Sequence, residues 1–109
     1  MCLNEGCIPT KTLIKTANVF HEAKTANKFA VEGVDVENIK VSMQKLQKRK
    51  NTVVSQLVNG VKALLKGNKV TIVEGKAVFV DKNTIVVGDK KITSEYFVIA
   101  TGSNTFMPP

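Results

Sequence analysis

The hydrophobic pattern changes its period near residue 67, and this change limits the chain to folds that join a long helix to strands. Between residues 42 and 66 apolar side chains recur mostly every three or four positions, which predicts a helix with one buried stripe. Ser42 can cap the start of this helix, and Gly67 stands where a left-handed residue often ends one. From Val70 onward β-branched residues predominate, which favours strands.

A shorter helix is predicted upstream, from Pro9 to about Thr25, because proline favours the first helical position. His21 lies on this helix and is expected to be a surface or packing histidine. Residues 26–41 have mixed polarity and contain Gly33, so they are predicted to form a loop.

The residues after the long helix predict short strands separated by turns. The expected strands are residues 70–74, 76–80, 84–87 and 91–93, with turns at 81–83 and 88–90. Strands joined by such short turns form a small antiparallel meander.

Residues 96–100 differ from these strands because they form a nearly continuous apolar run. Such runs are typical of a strand buried in a parallel sheet. The run ends in Thr101, Gly102 and Ser103, where an open α/β sheet would place a ligand-binding loop. The predicted fold class is therefore α/β, with two helices, an antiparallel meander and a buried parallel strand.

The chain is basic, with 16 lysines and arginines against 9 acidic residues. This balance raises the possibility of a nucleic-acid partner. However, Arg49 is the only arginine and there is no tryptophan, whereas nucleic-acid recognition relies on arginine and aromatic rings. A solvated lysine-rich surface explains the charge, so we expect no nucleic-acid partner. No apolar stretch approaches the length of a membrane span and no secretory signal is recognisable, which favours a cytoplasmic location and no membrane partner.

Cys2 and Cys7 are the only cysteines, and four residues separate them. A regular helix would hold their Cα atoms roughly 8 to 9 Å apart. A disulfide requires about 4.4 to 6.8 Å, so a bridge between them needs an irregular backbone, for which Gly6 supplies freedom. Zinc would need more ligands than this pair and the distant His21 provide, so no metal site is expected.

The position of Cys7 before a helix start favours a thiolate, because backbone N–H groups there stabilise an anion and lower the pKa of a thiol. Lys11 lies one turn later and adds positive charge. The residues alone leave two alternatives open, a redox-active disulfide or two unrelated buried cysteines.

The ten residues from Cys2 to Lys11, CLNEGCIPTK, closely resemble the active-site motif of the class I flavoprotein disulfide reductases. Leu3 and the Ile-Pro-Thr-Lys run after Cys7 are most similar to the dihydrolipoamide dehydrogenase group of this family, although Thr10 replaces the more usual serine. The basic helix, the meander and the Ile-Ala-Thr-Gly-Ser run at 99–103 follow in the order found in the family's FAD domain.

The resemblance implies a role for each matching residue. Cys7 would be the charge-transfer thiol that faces the flavin, Cys2 the outer thiol that exchanges with dihydrolipoamide, and Lys11 a tuner of the flavin. The remaining expected FAD contacts are Ala77, Thr101, Gly102 and Ser103. Ala77 and Ser103 could equally be ordinary strand and loop residues.

The resemblance also implies that residues 1–109 are a partial Rossmann-like FAD-binding domain. The pyrophosphate-binding βα unit, the NAD domain and the interface domain of the family would lie outside it, and the isolated chain is expected neither to bind FAD tightly nor to turn over. The whole protein would be a homodimer that passes electrons through FAD to NAD⁺. Its substrate would be the lipoyl-bearing acyltransferase of a 2-oxoacid dehydrogenase complex. A mercuric or other disulfide reductase, a basic nucleic-acid-binding module and an inactive remnant are the alternatives.

Overall fold

The computed structural model of the chain describes residues 2–108, which form two compact units. The units are Met1–Ala63 and Leu64–Pro109, and each is described by itself. The elements along the chain are α1 (Cys7–Lys24), a short 3₁₀ helix (Ala26–Phe29), α2 (Met43–Gly67), β1 (Ala77–Asp81), β2 (Thr84–Val87) and β3 (Lys90–Thr93).

Helix α1 begins two residues earlier than the predicted start at Pro9. Pro9 is its third residue, within the first turn, where the lack of an N–H group does not interrupt the helical hydrogen bonds. The helix ends at Lys24, as predicted within one residue, and Thr25 donates its backbone N–H to the His21 carbonyl at 3.1 Å. The predicted loop after it was wrong in part, because residues 26–29 form a 3₁₀ turn that buries Ala26.

Helix α2 confirms the predicted cap at its start but not the one at its end. The Lys45 N–H donates to the Ser42 hydroxyl oxygen at 3.3 Å. Gly67 remains helical, and the left-handed residue is Lys69, with φ of 59°. The Val70 N–H donates to the Leu65 carbonyl and the Lys69 N–H to the Lys66 carbonyl, which is the hydrogen-bond pattern of a Schellman motif.

The apolar stripe of α2 is less covered than the sequence predicted. None of its residues is buried within the described part of the chain. Half-buried positions are Leu46, Val53, Val54, Val58 and Leu65, whereas the exposed positions are Met43, Leu57, Val61 and Leu64. The described residues therefore supply too little apolar surface to cover a stripe of this length.

The predicted meander is confirmed as a three-stranded antiparallel sheet in the order β1-β2-β3. The turn between β1 and β2 is held by the Asn83 N–H, which donates to the Asp81 carboxylate at 2.8 Å and so keeps the pKa of Asp81 below its usual value. The turn between β2 and β3 has Gly88 at φ of 58°, where a type II′ turn takes glycine. The central strand β2 is the best-covered part of this unit and buries Thr84 and Val87.

Two predicted strands do not form. Residues 70–74 and 96–100 adopt no regular structure, and Val98 is 92% exposed. A buried parallel strand needs hydrogen-bonding neighbours on both sides, and the only sheet among residues 2–108 is the antiparallel meander. Phe97 instead packs edge-on against Phe79 of β1, with ring centroids 5.1 Å apart. The described chain thus combines two helices with a small antiparallel sheet, which is consistent with part of an α/β domain.

No helix among residues 2–108 has both the length and the apolar character that crossing a membrane requires.

Candidate redox site

The two cysteines are joined by a disulfide at the start of α1. Their Cα atoms lie 4.7 Å apart, well below the roughly 8 to 9 Å that a regular helix would impose. The backbone between them is irregular, as predicted. Residues 2–5 form a turn and Gly6, with φ of −116° and ψ of −105°, precedes the first helical residue. The bridge therefore spans the junction between a turn and a helix.

Backbone hydrogen bonds hold Cys2 above the first turn of α1. The Ile8 N–H donates to the Cys2 carbonyl at 3.1 Å, and the Thr10 N–H donates to the Gly6 carbonyl at the same distance. Cys7 is the first helical residue, at the positive end of the helix dipole. Both cysteines are exposed, so a dithiol reagent can reach the bridge.

A residue that the sequence did not single out supports this turn. Thr12 is only 7% exposed, and its hydroxyl donates to the Ile8 carbonyl at 2.8 Å. The signal that could have indicated it is the spacing of four residues, at which a helical threonine can bond to the carbonyl one turn earlier. Thr12 thereby fixes the turn from which Cys7 projects.

Lys11 lies four residues after Cys7 and therefore on the same face of α1. Its side chain is exposed, and the first turn of α1 contains no acidic residue. Lys11 is therefore the charged side chain of α1 nearest to Cys7 in sequence, while the exposed Glu5 lies in the turn between the two cysteines.

The other predicted cofactor residues lie in the second unit. Ala77 is the first residue of β1, pairs with Val87 and is exposed. Thr101, Gly102 and Ser103 follow without regular structure and are exposed, and Gly102 has φ of 74°. Cys2, Cys7 and Lys11 thus lie at the start of α1 in the first unit, whereas these four residues lie in the second unit.

His21 is exposed on α1, and its carbonyl accepts a hydrogen bond from the Thr25 hydroxyl at 3.0 Å. This matches the expected surface histidine. Within the described part of the chain no group of three or more His, Cys, Asp or Glu side chains could hold a metal ion.

Comparison with known proteins agrees with the motif at the disulfide. The family model described as pyridine nucleotide-disulphide oxidoreductase matches residues 1–109. The chain belongs to this family. This pyridine nucleotide-disulphide oxidoreductase chain is 43% identical to the dihydrolipoyl dehydrogenases of Staphylococcus aureus and Geobacillus stearothermophilus and 42% identical to one of Bacillus subtilis. Each match covers 100% of the chain but only 23% or 24% of the relative, so the chain spans about a quarter of the length of these proteins.

Reduction of the Cys2–Cys7 bridge should loosen the start of α1. A cross-link that closes so short a loop is worth about 2 kcal/mol by loop-closure entropy. We expect a dithiol reductant to speed hydrogen exchange at the Ile8 and Thr10 amides and to leave exchange in β2 unchanged. A variant with both cysteines replaced by serine should not respond to the reductant. Equal exchange in the oxidised and reduced chains would contradict the prediction.

Proposed function

We propose that this chain is the part of a flavoprotein disulfide oxidoreductase that carries its redox-active cysteine pair. The substrate would be a dihydrolipoyl group borne by an acyltransferase of a 2-oxoacid dehydrogenase complex, with FAD and NAD⁺ as cofactors. The observation that carries the proposal is an exposed disulfide between a turn and the first residue of a helix, with Lys11 one turn further on. The family match and the names of the relatives support it.

The bridge would act by thiol–disulfide exchange. One thiolate of the dihydrolipoyl group attacks the Cys2 sulfur, the Cys2–Cys7 bond breaks, and Cys7 leaves as a thiolate. The second substrate thiolate attacks the substrate sulfur of the mixed disulfide and displaces Cys2. The substrate loses two electrons and becomes a cyclic disulfide, both cysteines are reduced, and the substrate's two protons pass to the cysteines or to solvent.

The surroundings of the two sulfurs favour attack at Cys2 over attack at Cys7. The sulfur that leaves more readily is the one whose thiolate is better stabilised, and Cys7 lies at the helix start with Lys11 on the same face. Cys2 is held in the exposed turn, where its carbonyl accepts the Ile8 N–H. We therefore assign substrate exchange to Cys2 and the leaving thiolate to Cys7.

The residues proposed to hold FAD fit that cofactor chemically. Lys11 supplies a cation, Ala77 presents a small exposed side chain, and the position beside Gly102 is open, with no heavy atom within 4 Å of where a Cβ would lie. Thr101 and Ser103 add exposed hydroxyl groups on either side of that glycine. Held by these residues, FAD would supply a two-electron acceptor for the reduced cysteines and a donor for NAD⁺.

A substrate panel on the complete flavoprotein, proposed to be a cytoplasmic homodimer, tests this function. We expect NAD⁺ reduction with dihydrolipoamide, and little turnover of glutathione disulfide or mercuric ion with a reduced nicotinamide. Turnover of mercuric ion or glutathione disulfide without dihydrolipoamide activity would assign the chain to another reductase of the family. Salt-sensitive binding to random duplex DNA, together with cysteines that can be replaced without effect, would instead indicate a nucleic-acid-binding module.

A further inference from the structure

A cavity of about 410 Å³ lies within the first unit, away from the disulfide. Helix α1 lines it with Thr16, Val19, Phe20 and Ala23, whose spacing places them on one helix face. The start of α2 and the residues leading into it form the other side. The volume falls within the roughly 300 to 1,000 Å³ of small-molecule sites.

The lining of this cavity is largely apolar. Val19 and Phe20 of α1 share it with Ile39, from the segment before α2, and Leu46 of α2. Phe20, Ile39 and Leu46 are half-buried in the chain, so part of each side chain remains exposed to solvent. A ligand with an apolar body would gain stability by covering what remains exposed of these side chains.

The polar part of the lining is basic. Lys40, Lys45 and Arg49 line the cavity, and none of the described residues that line it is acidic. Lys45 and Arg49 are one turn apart on α2, so both side chains lie on the same face. Lys24 adds a further charge, with its Nζ atom 5.9 Å from the centroid of the Phe20 ring.

The charge around the cavity belongs to a longer acid-free segment. Residues 40–73 contain eight lysines and arginines and no aspartate or glutamate. Arg49, the only arginine of the chain, lines the cavity. A guanidinium group can hold a carboxylate through two parallel hydrogen bonds. The Ser42 hydroxyl accepts the Lys45 N–H through its oxygen and keeps its own O–H as a donor, so it can add to the pairing of an anion with the cationic side chains.

We propose that this cavity binds an organic carboxylate with an apolar body, the carboxylate pairing with Arg49 and Lys45 and the body lying against Phe20 and Leu46. Lys40, Lys45 and Arg49 would repel a cation, and a neutral apolar molecule would bind more weakly because it offers these side chains no anion to pair with. The inference does not depend on the redox function, because no residue of the Cys2–Cys7 site lines the cavity.

Titration of the 109-residue chain with decanoate, followed by amide chemical shifts in NMR spectra, tests the site. Decanoate should shift the amide resonances of Val19, Ala23 and Leu46. Decanol and decyltrimethylammonium should have dissociation constants at least about tenfold higher. Absence of decanoate binding up to millimolar concentration would overturn the proposal. So would equal affinity for decanol, or shifts confined to the exposed stripe of α2 beyond residue 52.

Two charge-matched variants make the test specific. Arg49→Gln should weaken decanoate binding by about tenfold, the loss expected for one charge-assisted pair. Lys48→Gln removes the same charge from the polar side of α2, where Lys48 lies beside Gln44 and Thr52, and should change affinity by less than about twofold. Equal losses in both variants would show that general charge attraction, and not this cavity, binds the anion. Arg49→Lys keeps the charge but not the two parallel hydrogen bonds, so it should weaken binding less than Arg49→Gln does. Lys45→Gln should also weaken decanoate binding by about tenfold, and it serves as the test variant if Arg49→Gln loses helicity.

Discussion

Replacing Cys7 with serine in the complete flavoprotein should lower dihydrolipoamide-dependent NAD⁺ reduction by roughly a thousandfold or more, as loss of a covalent catalytic group commonly does. A serine oxygen cannot form the bridge to Cys2, so no electron pair can be taken from the dithiol at this site. The measurement is the initial rate of NADH formation at saturating dihydrolipoamide. Retention of a substantial rate would refute the assigned role of the disulfide.

Cys2→Ser should lose dithiol exchange to a similar extent, because both sulfurs are needed for one bridge. The two variants should differ in the reactivity of the single thiol that each retains. The variant that keeps Cys7 retains a thiol at the helix start, which should react with iodoacetamide at neutral pH faster than the single thiol of Cys7→Ser. Equal alkylation rates would contradict the proposed stabilisation of the Cys7 thiolate.

Thr10→Ser is the matched control for these variants. Thr10 is exposed in the same turn of α1, and serine keeps its hydroxyl group. The Thr10 N–H, which donates to the Gly6 carbonyl, belongs to the backbone and is unaffected by the substitution. Activity should therefore remain close to that of the original protein. Loss of activity in Thr10→Ser would show that any substitution in this turn inactivates the enzyme, so that the losses in the cysteine variants could not be assigned to the sulfur atoms.

The features that the sequence predicted correctly depend on neighbouring residues. Ser42 caps α2 because its side chain meets the N–H of Lys45, three residues away. The meander follows from short turns such as Gly88–Asp89 between β-branched runs. The bridge between Cys2 and Cys7 likewise needs only an irregular turn of a few residues.

The two strands that it predicted wrongly depend on partners distant in the chain. Residues 70–74 and 96–100 have strand composition, but a strand requires a neighbouring strand, and the meander offers them none. The end of α2 was misjudged for a local reason. The left-handed residue is Lys69, two positions after the glycine that the pattern favoured, and the hydrogen bonds donated by Lys69 and Val70 offset the cost of that conformation.

Whether a functional site could be predicted likewise depends on whether its residues are neighbours in the chain. The redox motif is contiguous, so Cys2, Cys7 and Lys11 could be placed from the sequence. The proposed FAD contacts at Ala77 and Thr101–Ser103 remain predictions, because their relation to the disulfide depends on how distant segments are arranged. The cavity beside Arg49 could not be predicted, because two helices and a loop line it and the sequence indicates only a solvated lysine-rich surface there.

Replacing Gly75 with alanine should destabilise the second unit by about 3 kcal/mol, the combined effect of a left-handed backbone and a side-chain clash. Gly75 has φ of 146°, a conformation that residues with a Cβ rarely adopt. A Cβ built there would lie 2.5 Å from Cγ1 of Val87, which is buried in β2 and pairs with Ala77. Relief of the clash requires either the stiff Val87 side chain or the backbone at Gly75, two residues before Ala77, to move.

Gly67→Ala is the matched control, because Gly67 is helical and no heavy atom lies within 4 Å of its Cβ position. Alanine there should leave stability unchanged or raise it by up to about 1 kcal/mol. Hydrogen exchange at the amides of β2 measures both effects, since that strand is paired on both sides. If Ala77 contacts FAD in the complete flavoprotein, Gly75→Ala should also weaken FAD retention while Gly67→Ala does not. Unchanged exchange in Gly75→Ala would show that the junction is looser than its geometry indicates, and normal FAD retention despite fast exchange would remove Ala77 from the cofactor site.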